Sequence, residues 1–159
     1  MALSRFAERA VESFIEAIRV GHIKYIYVRN ILKYEDVDTT PIEQFLNDAD
    51  PRVRSYAVEI IAARGDHNKV IDRALVEKEK EVLLAIFRKL TDRGRGNNLE
   101  RLVDFIDHED SAVRFESIMM FKKCGRADCL FTLLFDSDDG LVYRTRRYIE
   151  EQNAKENST

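Results

Sequence analysis

The sequence predicts an all-α fold of about five stacked helix pairs, and three observations predict it. A valine following an acidic turn recurs at Val53, Val82, Val113 and Val142, at spacings of 29, 31 and 29 residues. A glycine stands twelve residues after each of the first three, at Gly65, Gly94 and Gly125. Between these markers apolar residues return with helical spacing: Ala57, Ile60 and Ile61, then Ile86 and Leu90, then Met120 and Phe121. No segment alternates with period two, and both prolines stand at helix starts.

The elements follow in order. A first helix from about Ser4 to Val20 carries Phe6, Ala10, Phe14, Ile15 and Ile18 and stops at Gly21. A copy begins at Ile23, although Glu35 stands where the later copies have glycine. Thr40 and Pro41 open a short helix containing Ile42, Phe45 and Leu46, with proline where its missing N–H costs nothing. Asp50 and Pro51 open the next helix by the same logic, and Asp110 and Asp139 are placed to cap the corresponding later ones. Gly65, Gly94 and Gly125 suit the left-handed residue that ends such helices. Asn68, Asn98 and Asp128 are placed to cap shorter helices at 70–75, 99–106 and 129–135. The unit is thus helix A, acidic turn, helix B, glycine turn. One pair cannot bury its apolar face alone, whereas stacked pairs share a continuous core. The long first helix and the arginine-rich last copy (Arg144, Arg146, Arg147) read as end caps. Residues 1–151 are expected to form a single domain, and the polar tail 152–159 to fray.

The segment from Leu46 through Asp48, Asp50, Pro51, Arg52, Val53 and Arg54 to Gly65 closely resembles HEAT-like repeats, in the short variety named after phycobilisome lyases. Asp107 to Gly125 resembles them fairly and the other copies weakly. The resemblance implies a right-handed α-solenoid of about five HEAT-like helix pairs, with B helices lining a concave side. It also implies that Asp48, Asp50, Arg54, Asp107, Asp110 and Arg114 are structural, tying neighbouring repeats together. The family is a scaffold with many functions, so it implies little about activity. An accessory role beside a tetrapyrrole lyase follows from the family label alone.

Composition excludes several function classes. A net charge of -3, near neutral in both halves, gives no general attraction to nucleic acid or membrane. The N-terminus carries charges where a signal peptide needs an apolar run, and the longest apolar run, Val82 to Phe87, is far too short for a membrane span. A cytoplasmic location is expected. Cys124 and Cys129 read as small apolar residues rather than a redox pair. His22, His67 and His108 all fall at turns without metal-ligand spacing, so neither metal nor cofactor is expected. No nucleophile has an evident base, and an enzyme is not expected.

Two surfaces are candidates for function. Counting from each valine, offsets two, six and nine on the B helices point away from the expected core. They are rich in aromatic, large apolar and arginine side chains, which are typical of binding hot spots. Tyr25, Arg29, Leu84, Arg88, Phe115, Met119 and Tyr148 are the candidates for holding a protein partner. The competing structural explanation is that contacts with neighbouring helices widen the buried arc over these positions. The second surface is a basic edge of Arg88, Lys89, Arg93, Arg95, Lys122 and Arg126, facing phosphate or nucleic acid. There the competing explanation is pairing of bases with helix C-terminal dipoles. The Asp92–Asn98 turn lacks the lysine and hydroxyl of a P-loop, and the chain has no tryptophan to resemble helical-repeat DNA glycosylases.

Overall fold

The computed structural model describes residues 40–93 and 98–156, apart from which only Ser13 and Val20 are described. The expected first helix, the copy beginning at Ile23, and Gly94 lie outside these residues. Helix α1 (Thr40–Glu43) passes into a 3-10 helix, Gln44–Asn47. Then come α2 (Pro51–Ala63), α3 (His67–Ala74), α4 (Lys80–Arg93), a 3-10 helix Leu99–Asp107, α5 (Ser111–Lys123), a 3-10 helix Ala127–Phe135 and α6 (Asp139–Glu156). Every regular element among the described residues is helical.

The order alternates short A segments with longer B helices. The B helices α2, α4 and α5 pack on one another in succession, and each A segment packs against the B helix that follows it. The core runs through these contacts: Val53, Val82 and Val113 are fully buried, with Ile71, Phe87, Leu102, Ile118 and Met120 around them. Gly65 and Gly125 take φ of +89° and +93°, the left-handed conformation their positions predict.

The last copy is out of the expected register by one residue. Leu141 is fully buried, while Val142 is only half-buried. The cap moves with it: the Leu141 N–H donates to Asp138 Oδ1 at 3.1 Å, so Asp138 opens α6 and Asp139 sits in its first turn. Helix α6 continues through Glu156, across the first part of the tail expected to fray; residues 157–159 are outside the described ones.

The expected caps of the A segments also change. Asp66 caps α3, accepting from the Lys69 N–H at 3.4 Å, and Asn68 lies inside that helix. Asn98 precedes its 3-10 helix at φ 73°, left-handed and without the extended backbone a side-chain cap requires. Asp128 lies within the 3-10 helix it was expected to precede, and pairs with Arg126 at 3.0 Å.

Candidate functional site

The acidic turns form a regular joint. In each, the N–H of the residue before the B helix donates to the side chain two residues earlier. Asp50 donates to Asp48 Oδ1 at 2.9 Å, Glu79 to Glu77 Oε1 at 3.0 Å, Asp110 to His108 Nδ1 at 3.0 Å, and Asp138 to Asp136 Oδ1 at 2.8 Å. This closes an Asx-type turn just ahead of the helix, where backbone donors otherwise lack partners. His108 therefore occupies the acid's place in the third described turn. Asp107, expected to be a structural acid, is exposed at the end of its 3-10 helix, one residue too early to reach that N–H.

Arg54 and Arg114 tie successive turns together. Arg54 Nη1 donates to the carbonyls of Asp48 and Ala49 at 2.8 and 3.1 Å, while Nε and Nη2 both reach the Glu77 carboxylate of the next turn at 2.9 Å. Arg114 repeats the geometry with the His108 and Glu109 carbonyls and Asp136, at 2.6 to 2.9 Å. Burial pushes the Glu77 carboxyl up. Hydrogen bonds from Arg54, from the Glu79 and Lys78 N–H groups and from Arg73 outweigh it and bring the group from 4.5 to about 2. The Arg114 guanidinium likewise holds Asp136 below the ordinary carboxylate range. At the intervening joint Leu83 takes the arginine's position and is buried, and Lys80 pairs with Asp110 at 2.8 Å instead. Asp136 belongs to an acidic turn legible in the sequence, whereas Glu77 was not singled out, although its position two before Glu79 was available as a signal.

The B-helix stripe lies along the joints between B helices. Glu59 on α2 accepts from Lys89 Nζ on α4 at 2.7 Å, and Arg88 on α4 donates to Glu116 on α5 at 2.8 Å. Between α5 and α6 the contacts are cation–π: the Arg144 guanidinium is 5.6 Å from the Phe115 ring centre and Lys122 Nζ 4.0 Å from that of Tyr148. Counted from Val53, Val82, Val113 and Leu141, offsets two, six and nine reach forward to the next helix, whose offsets three and seven receive them. The one-residue shift corrects the last copy. Tyr148 belongs to the receiving side, and its place in the stripe passes to Tyr143 and Arg147, both exposed.

Among the partner-binding candidates, Leu84, Phe115, Met119 and Tyr148 are half-buried against the core and Arg88 is exposed; Tyr25 and Arg29 are outside the described residues. Packing against the core thus covers these four side chains in part and leaves a portion of each in water. Of the basic-edge candidates, Arg88, Lys89 and Arg126 each pair with a carboxylate. The Arg93 side chain and Arg95 are outside the described residues. Lys122 is the exception. Burial, with Lys123 beside it, lowers its ammonium from the ordinary lysine range, and no carboxylate pairs with it among the described residues. Cys124 and Cys129 are free thiols, both raised by burial. Among the described residues no group of three histidine, cysteine or carboxylate side chains is placed to hold a metal ion, and no helix is long and apolar enough to cross a membrane.

No family model matches the chain, and no curated protein matches it significantly.

Proposed function

We propose that the chain is a non-enzymatic adaptor, a right-handed solenoid of HEAT-like pairs that holds a protein segment along its concave B-helix face. The observation that carries this is the row of Leu84, Phe115, Met119 and Tyr148, half-buried at successive joints, with Lys122 and Arg144 lying over the two aromatic rings. Half-open apolar side chains offer surface to a partner without the cost of leaving it fully wet. A partly desolvated ammonium resting on a ring, with no carboxylate paired to it among the described residues, attracts an incoming acid more strongly than a solvated one would. The segment that fits is therefore apolar with interspersed acidic residues. The paired state of Arg88, Lys89 and Arg126 supports this over the nucleic-acid edge, because each would have to leave a carboxylate to meet phosphate.

Selection of peptides from a random display library on the immobilised chain tests the proposal. Acidic, apolar peptides should emerge, and their binding should be lost in a Phe115→Ala, Met119→Ala double variant. Selected peptides that bind this variant as tightly as the unaltered chain would overturn it. So would failure of selection combined with oligonucleotide binding that weakens steeply with salt.

A further inference from the structure

The joint between α5 and α6 differs from the two before it in how its cations are held. Between α2 and α4 the facing positions set Lys89 on Glu59, and between α4 and α5 they set Arg88 on Glu116. Between α5 and α6 the same positions are Phe115, Met119, Lys122, Arg144 and Tyr148, with two cations and no acid. Both cations lie on rings instead, and neither is paired with a carboxylate among the described residues. The acids around the joint are engaged elsewhere. Glu116 holds Arg88, Glu151 holds Arg147, and the Asp138 carboxylate accepts from Ser111 and from the Leu141 N–H.

The spacing of the two cations can be read from the same contacts. Phe115 opposes Arg144 and Tyr148 opposes Lys122, so the two helices run in one direction. From one contact to the other is four residues along α6 and seven along α5, an interval of about 6–10 Å. Met119 lies within that interval, half-buried.

We infer that a partner segment anchors at this joint rather than along the whole stripe, through two carboxylates two residues apart in an extended chain. One carboxylate meets Lys122 and the other Arg144. The inference rests on the adaptor reading and adds to it where the segment is held and by what. Side chains two apart in an extended segment point the same way, about 7 Å from each other, which falls within the interval between the cations. At the earlier joints an incoming acid would have to displace the carboxylate already there, so the exchange gains little. At the α5–α6 joint it supplies the missing opposite charge, and Met119 receives an apolar neighbour of the acids.

Random peptides displayed on phage and selected on the full chain are the probe. The selected sequences should be enriched in acids two residues apart beside a large apolar residue. Synthetic copies should bind a Lys122→Gln, Arg144→Gln double variant at least about tenfold more weakly, and Lys89→Gln within about twofold of the unaltered chain. Changing one acid of the peptide to its amide should abolish the effect of one of the two substitutions and spare the other, as a double-mutant cycle reads directly. Circular dichroism should show every variant folded. Selected peptides without paired acids, or peptides that the double variant binds as tightly as the unaltered chain does, overturn the inference. If the same peptides are still lost on Phe115→Ala, Met119→Ala, the adaptor reading survives that result. A selection that yields no peptide at all overturns the inference as well.

Discussion

Arg54 shows how a single side chain fastens two turns. Its side chain is 10% exposed and that of Glu77 only 1%, so both charges have left water and depend on each other and on the carbonyls and N–H groups around them. Removing Arg54 takes away two of the bonds to the buried Glu77 carboxylate and leaves it to Arg73 and the Lys78 and Glu79 N–H groups, a loss of about 2–3 kcal/mol. Arg54→Ala should therefore lower the denaturant midpoint far more than Arg52→Ala, whose ion pair with Asp50 is exposed and worth little. A shift no larger for Arg54 than for Arg52 would show that the seam is not a stabilising joint. The pH dependence has a definite sign. Glu77 is lowered on folding, so its contribution is present above its unfolded value and is lost as pH falls through the window from 4.5 to about 2. Equilibrium unfolding should show stability declining across that window, and a Glu77→Gln chain should lose less across it.

At the scale of the element, the B helices were more legible in the sequence than the A segments. The Asp50–Pro51 start and the Gly65 stop are backbone requirements met by particular residue types, so they fix the ends of α2. The A segments have about two turns each and several polar residues able to cap, which is why Asn68 was preferred where Asp66 does the capping. The distinction can be measured. Asp66→Ala should destabilise the chain by about 1 kcal/mol, whereas Asn68→Ala should stay within about 0.5 kcal/mol. Equal effects would remove the assignment of Asp66. The register slip in the last copy has a similar origin. Leu141 and Val142 are adjacent apolar residues, and only the position of Asp138 and its turn partner Asp136 decides which one enters the core. That choice depends on a hydrogen bond two residues upstream, which the spacing of valines does not report.

Over the described residues, the helical composition and the alternation of short and long segments were readable from periodicity and its turn markers, because Val53, Val82 and Val113 recur as buried core positions. The candidate site was half-readable. Offsets two, six and nine mark one side of α2, α4 and α5, and of α6 only after the one-residue shift, but a helical projection does not say whether that side meets solvent or the next helix. The answer here is both: Phe115 and Met119 touch their neighbours and remain partly open. His108, which the sequence places at a turn, serves the fold there as the acceptor that the other turns supply with a carboxylate.

The proposed binding face can be read most directly through the methionines, of which the chain has three. Met119 and Met120 are adjacent on α5, yet Met119 is half-buried on the B-helix face and Met120 is fully buried in the core. With methyl-labelled methionine and a selected acidic peptide, the Met119 resonance should move and saturate with binding while that of Met120 moves much less. A peptide that saturates the chain and leaves Met119 in place would contradict the assignment of function to this face.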